Sequence, residues 1–240
     1  MSFVYSQSLS KKVPLLPSKT LLINRDIQSE NRAAAQRLRL AFTQTGTFVV
    51  NLVSSPGAGK TSLLEATCRW WKNKWKIAVL VGDLATERDA DRLRPFVPVQ
   101  QLTTGGGCHL ELPLVEKGLA KLPNERFDFL FIENVGNLVC PASHDLSEHL
   151  RVVLLSTTEG DDKPGKYPKM FRTSDVMVIT KMDLAPHVPF DVERATLDAR
   201  RIRESIEVIK VSSLHSQGIS HWCQMLERRR NSMLSERAIP

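Results

Sequence analysis

Short unbroken runs of Val, Ile, Leu and Phe recur along the chain, at 47–53, 77–81, 127–132, 151–156, 176–180 and 206–211. Polar or helix-like segments separate most of them. Runs that do not alternate apolar with polar positions fit strands covered on both faces. The pattern predicts an α/β fold, a mainly parallel sheet flanked by helices. Ahead of the first run, Asn24 to about Thr43 places Ile27, Ala34, Leu38 and Phe42 roughly on one helical face. Residues 1–23, with Pro14 and Pro17, read as a loose arm, which leaves 24–240 as one domain. The polar segment from Thr158 to Lys166 is expected to be a long loop at the carboxyl end of a strand, where function tends to gather.

A length of 240 residues suits one large α/β domain plus a short arm. With 42% hydrophobic and 25% charged residues, the composition is globular and excludes a disordered chain. No apolar run is long enough to span a bilayer, so no membrane association is expected. The start of the chain has no secretory signal pattern. Cysteines stand at 68, 108, 140 and 223 without a disulfide framework, which points to the cytoplasm. Cys68 and Cys223 lie in apolar helical surroundings and read as core. The net charge of +7 fits a polyanionic partner, or equally helices with scattered Lys and Arg. The densest cluster, Arg228-Arg229-Arg230, falls near the end of the last expected helix, where cations complement the dipole. No aromatic and basic residues interleave, so no nucleic-acid partner is expected.

The chemistry begins where the first apolar run meets Ser54-Ser55-Pro56-Gly57-Ala58-Gly59-Lys60-Thr61. Glycines let backbone N–H groups wrap a triphosphate, and the following helix presents its N-terminus to the same anion. Gly57, Ala58, Gly59, Lys60, Thr61 and Ser62 form the expected phosphate-binding set. Lys60 would meet the β- and γ-phosphates and Thr61 would offer its hydroxyl to Mg²⁺. Ser54 replaces the first glycine of the usual G-x-x-x-x-G-K-[ST] pattern. Asp83 and Glu133 follow two of the apolar runs. Asp83 would bind Mg²⁺ with Thr61, and Glu133 would hold a metal-bound or attacking water, so that Lys60, Asp83 and Glu133 form the catalytic set. The alternative is that each acid only caps a following helix. Gly136 would let the loop after Glu133 respond to the γ-phosphate.

Base choice falls to Thr180-Lys181-Met182-Asp183, similar to an N/T-K-x-D guanine motif. Its Asp accepts from guanine N1 and N2, a donor pair adenine lacks. The loop containing Ser213 and Leu214 stands where guanine O6 is met by a backbone N–H. Separately, Cys108-His109 follows a glycine run, and Cys140 lies thirty-odd residues on. Two thiolates and an imidazole suit Zn²⁺ or Ni²⁺. Adjacent Cys and His point apart on regular structure, so either Gly105 to Gly107 bends the backbone or two chains share the ligands. The other histidines, at 144, 149, 187, 215 and 221, show no ligand spacing.

The order SSPGAGKTSLL, GDLATERDADR, TTGGGCHLEL, FIENVGNLVCPA, TEGDDKPGKYPKMF and TKMDL closely resembles the hydrogenase nickel-incorporation GTPases, the HypB family, from about residue 24 to 230. The resemblance implies a P-loop GTPase fold of the signal-recognition and MinD-like (SIMIBI) class. It also implies slow hydrolysis of GTP to GDP, a homodimer that depends on nucleotide or metal, and nickel delivery to the large subunit of [NiFe]-hydrogenase with maturation partner proteins. It assigns the metal site to Cys108, His109 and Cys140. Residues 1–30 contain no Cys or His, so the N-terminal nickel motif of many members is not expected. Thr180 stands where Asn is usual, Val81 where an acid is common, and Gly106 where Lys is often found. Two other readings remain open: a urease-type or other metal-delivery GTPase, and a metal-binding scaffold without GTP turnover. The urease-type relatives carry Cys-Pro-His where this chain has Cys140-Pro141-Ala142.

Overall fold

A computed structural model describes residues 19–83 and 87–237, with side chains from residue 29 onward. Its elements run α1 (Lys19–Thr45), β1 (Phe48–Ser54), α2 (Lys60–Trp71), β2 (Ile77–Asp83), α3 (Arg88–Leu93), β3 (Val99–Thr103), α4 (Leu112–Leu119) and β4 (Phe129–Glu133). They continue with a 3-10 turn (Cys140–Ser143), β5 (Leu150–Ser156), α5 (Lys163–Lys166), α6 (Pro168–Thr173), β6 (Val176–Thr180), a second 3-10 segment (Met182–His187), α7 (Val192–Ile202), β7 (Glu207–Lys210) and α8 (Ile219–Arg237). The expected arm falls largely outside the described residues. The first helix begins at Lys19, ahead of the expected Asn24.

The strands form one sheet in the order β3-β2-β4-β1-β5-β6-β7. Every pair is parallel. All seven residues of β1 are buried, as a strand covered on both faces requires. Alternate side chains serve different layers. Phe48, Val50 and Leu52 pack with α2 and α8 in one cluster. On the opposite face, Val49 joins Leu102, Leu110 and Val115, while Val53 joins Met170, Phe171, Ala195 and Ala199.

Two expectations change. The run Val99-Gln-Gln-Leu-Thr103 is a strand that its polar residues concealed. It lies at the sheet edge with one neighbour, so only Leu102 is fully buried. The segment from Thr158 to Lys166 is not wholly loop, because Lys163–Lys166 winds into α5 with Pro164 in its first turn, where a missing N–H costs nothing.

The three consecutive arginines lie within α8 rather than at its end. Arg228 and Arg229 reach Glu207 at the surface. Arg230 is buried, donates to Asp128 at 2.6 Å and to the Gly46 carbonyl at 3.1 Å, and lies over the rings of Trp75 and Phe129. That residue is a core fastener, not a contribution to a basic surface.

His149 holds the start of β1. Its Nδ1 accepts from the Val49 N–H at 3.0 Å, its Nε2 lies 3.0 Å from the Thr43 hydroxyl, and its ring stacks on Phe48. A second ring proton would face the Val49 N–H. Burial, together with the charge of Arg39, pushes the imidazole down to about 4. An unfolded histidine titrates near 6.5, so the unfolded chain takes up a proton first as pH falls. His149 therefore contributes stability that is present above about 6.5 and lost as pH falls through about 4. The loss is roughly 3 kcal/mol at 1.36 kcal/mol per pKa unit. In urea unfolding, the stability difference between the native chain and His149→Asn should narrow by that amount between neutral and acid pH. A difference independent of pH would remove His149 from this role.

Candidate functional site

The carboxyl ends of β1, β2, β4 and β6 meet at one edge of the sheet, with β1 between β4 and β5. The turn after β1 takes left-handed backbone at Gly57 (φ 74°) and Gly59 (φ 93°), which a side chain would resist. Ser54, in the place of the usual first glycine, is fully buried and accepts from Lys60 Nζ at 3.0 Å. Thr180 also serves this turn, because its hydroxyl donates to the Ala58 carbonyl at 2.7 Å. The expected base-recognition segment thus ties down the expected phosphate loop.

Glu133 reaches the loop directly. Its Oε1 accepts from the Thr61 hydroxyl at 2.7 Å, and its Oε2 is buried without a hydrogen-bond partner. Burial pushes the carboxyl up to about 7, against the opposing pull of Lys60 and Thr61. Burial likewise lowers Lys60, which faces Glu133, Asp89, Glu159 and Asp83. In the sheet Val81 aligns with Glu133. Asp83 is two residues further along β2, so it projects from the same face. The Thr61 hydroxyl and the Asp83 carboxylate are hard oxygen donors of the kind that suits Mg²⁺, and the open Glu133 oxygen beside Thr61 is left for water. The Ser62 hydroxyl is turned elsewhere, accepting from Arg92 at 3.0 Å.

The base-side residues also come together. Met182 N–H donates to the Val211 carbonyl, which draws the end of β6 onto the loop after β7. Asp183 accepts from Ser212, and this bond, with the charges of His215 and Lys181, holds its carboxyl below the usual range. Lys181 has left-handed backbone (φ 55°), and its Nζ lies 3.3 Å from the Thr158 hydroxyl. Ser213 and Leu214 belong to the same loop, with Leu214 79% exposed.

Cys108, His109 and Cys140 converge in a single chain, their ligand atoms within 4.8 Å of one another. No other such group occurs among the described residues. The sulfurs lie 2.9 Å apart, and Cys108 Sγ is 3.6 Å from His109 Nδ1. The bend that a Cys-His pair needs is supplied by Gly105 (φ 62°) and Gly106 (φ 100°). Asn137 Nδ2 donates to the Cys108 carbonyl at 3.2 Å, so the loop carrying Cys140 also grips the loop carrying Cys108. Cys68 and Cys223 are buried in the core, as their surroundings in sequence imply.

Several residues of this site were not picked out from sequence. Buried Asn134 accepts from the Leu110 and Val135 N–H groups at 3.2 and 3.0 Å, joining the Glu133 loop to the Cys108-His109 loop. Leu110 presses on Gly82, where a Cβ would lie 2.8 Å from its side chain. Asp89 and Glu159 add charge around Lys60. Asn134 falls inside ENVGN and Glu159 inside TEGDD, but only packing reveals what each touches.

The family model of the CobW/HypB/UreG nucleotide-binding domain matches residues 48–210. The hydrogenase maturation factor HypB of Azotobacter vinelandii is 47% identical over 224 residues, 93% of this chain and 74% of that protein. The chain belongs to the HypB family. The hydrogenase/urease maturation factor HypB of Helicobacter hepaticus is 41% identical over 90% of this chain and 91% of its own length. Among solved structures, HypB from Helicobacter pylori in complex with nickel superposes with a TM-score of 0.81 at 38% identity, covering 85% of this chain and 96% of that one. A HypB-type chain therefore carries both loops described above on one parallel sheet.

Gly136, on the loop after β4, lies close against the phosphate loop. A Cβ there would lie 2.8 Å from the backbone of Pro56 in the phosphate loop. Gly136→Ala must displace one loop or the other, at a cost of about 1–3 kcal/mol. Calorimetry should show nucleotide affinity reduced about 10-fold or more, with the fold retained by circular dichroism. Unchanged affinity would mean that the two loops move independently.

Proposed function

We propose that this chain is a GTP-hydrolysing metallochaperone that assists nickel insertion into [NiFe]-hydrogenase during its maturation. The observation that carries the reading is one loop, from Glu133 to Cys140, that touches the phosphate-loop threonine at one end and supplies a soft metal ligand at the other. The names of the relatives and the nickel-bound neighbour support hydrogenase maturation as the setting and nickel as the cargo. The Helicobacter hepaticus relative, named for hydrogenase and urease, supports urease as a second recipient.

In this reading Lys60 places its charge on the β- and γ-phosphates, and the backbone N–H groups of Gly57 to Ser62 enclose them. Thr61 and Asp83 hold Mg²⁺, which when bound offsets charge on the transferring phosphoryl group. Glu133, with a proton affinity near neutrality, orients the attacking water and accepts its proton as the water oxygen bonds to the γ-phosphorus and the β–γ bridge breaks, giving GDP and phosphate. Asp183 and Lys181 select guanine, with Ser213 and Leu214 at its O6 edge. Cys108, His109 and Cys140 take Ni²⁺ or Zn²⁺. The working form is a cytoplasmic homodimer controlled by nucleotide or metal, meeting maturation partners and the hydrogenase large subunit. Nucleic acid has no part. No helix among the described residues is long and apolar enough to cross a membrane. Residues 24–240 serve as the GTPase domain with the embedded metal site, and α1 enters it from Lys19.

Two experiments test this. Asp183→Asn removes two charge-assisted hydrogen bonds, so GTP affinity should fall about 100-fold. Xanthosine triphosphate, whose O2 accepts from the new amide, should become the better ligand in fluorescent-nucleotide competition. Equal affinity of the native chain for ATP and GTP would end the guanine assignment. The second experiment titrates Ni²⁺ and Zn²⁺ into the nucleotide-free, GDP-bound and GTP-analogue-bound forms. The coupling should be about 1–3 kcal/mol and reciprocal. Cys140→Ala should lose metal and coupling while retaining GTP. Identical metal affinity in all three forms would separate the metal site from the nucleotide.

A further inference from the structure

Thr157 falls between the apolar run of β5 and the polar segment after it, in no motif picked out from sequence. It is buried, and its backbone N–H continues the sheet onto the Thr180 carbonyl at 3.2 Å. Its hydroxyl crosses to the end of β6 and donates to the Lys181 carbonyl at 2.8 Å. That carbonyl also accepts from the Leu184 N–H at 2.9 Å, the bond that closes the turn around Asp183. Lys181 is held at φ 55° and ψ 41°, left-handed backbone that a residue with a Cβ keeps only where its surroundings fix it. Thr180 does not supply this hold, because its one hydroxyl proton is committed to the Ala58 carbonyl.

We propose that Thr157 is a positioning residue for guanine selection: its hydroxyl fixes the Lys181 carbonyl, and with it the strained turn that presents Asp183 to the base. This rests on reading Thr180-Lys181-Met182-Asp183 as the guanine segment. The Asp183 carboxylate must meet two donors on one base edge at once, so a small rotation of the turn weakens both bonds. Thr158 adds a hold on the side chain, its hydroxyl lying 3.3 Å from Lys181 Nζ and 2.8 Å from Ser156 Oγ. The end of β5 thus grips Lys181 by backbone and by side chain. The phosphate loop is fixed by other contacts, Ser54 with Lys60 and Thr180 with Ala58, neither of which uses the Thr157 hydroxyl. Loss of that hydroxyl therefore weakens base recognition and spares triphosphate binding.

The test measures GTP and ATP affinity of the full chain by fluorescent-nucleotide competition. Thr157→Val keeps the shape of the side chain and removes the donor. GTP affinity should fall roughly 5- to 10-fold, as for one lost hydrogen bond, while ATP affinity, set by the phosphates, stays at the native level. Thr157→Ser restores the hydroxyl and should return GTP affinity to that of the native chain. Thr157→Ala repeats the loss if circular dichroism shows that the valine variant does not fold. A valine or alanine variant that keeps native GTP affinity, or loses GTP and ATP in equal proportion, makes Thr157 a packing residue and overturns the proposal alone. A serine variant as weak as the valine one does the same. If the native chain binds ATP as tightly as GTP, or Asp183→Asn keeps native GTP affinity, the guanine reading itself is wrong and the proposal falls with it.

Discussion

Everything at the functional edge depends on a sheet whose strands all run the same way and are covered on both faces. Parallel strands deliver their following loops to one edge. Because β1 is central, its loop is enclosed by those of β4 and β6. The enclosure is specific. Thr180 holds the Ala58 carbonyl, Ser54 holds Lys60, and Gly136 lies against Pro56. A phosphate loop of glycines pays a high conformational entropy to be ordered. These three contacts order it before any anion arrives.

The same burial that positions the charges raises their energy. Lys60 and Glu133 are each less than a tenth exposed. Removing charges from water costs several kcal/mol per ion unless partners compensate. Glu133 answers partly with a raised proton affinity and Lys60 with a lowered one. Phosphate oxygens and a hard cation are the ligands that this arrangement stabilises most, since they supply the charges that the buried groups lack.

A continuous set of contacts leads from this pair to the thiols. Thr61 binds Glu133, the next residue Asn134 holds the Leu110 N–H, and Leu110 follows Cys108-His109. Asn137 closes the loop from the other side through the Cys108 carbonyl. Asn134 also donates to Asn51, which donates to Glu148 beneath, so the relay is anchored in the sheet. Buried polar groups with satisfied partners are stiff. Gly136 sits between Asn134 and Asn137, the two residues that hold the Cys108-His109 loop.

The sequence by itself determined six of the seven strands and showed the residue types of the candidate chemistry. Six apolar runs, at strand length and without alternation, marked strands buried on both faces. The glycine-lysine-threonine turn and the Cys-His pair carried their residue types openly. Its silence was also physical. The edge strand Val99–Thr103 has one sheet neighbour and so keeps polar residues, which hid it from a hydrophobic reading. Arg230 looked like part of a surface cluster, because nothing in consecutive arginines says which one turns inward to Asp128 and the aromatic rings. The sequence left open whether one chain or two would assemble the metal ligands. Tertiary structure brings Cys108, His109 and Cys140 together within one chain and packs His144 beside them. Such neighbours depend on how two loops from β3 and β4 lie against each other, a matter of packing between segments distant in sequence that no local spacing encodes.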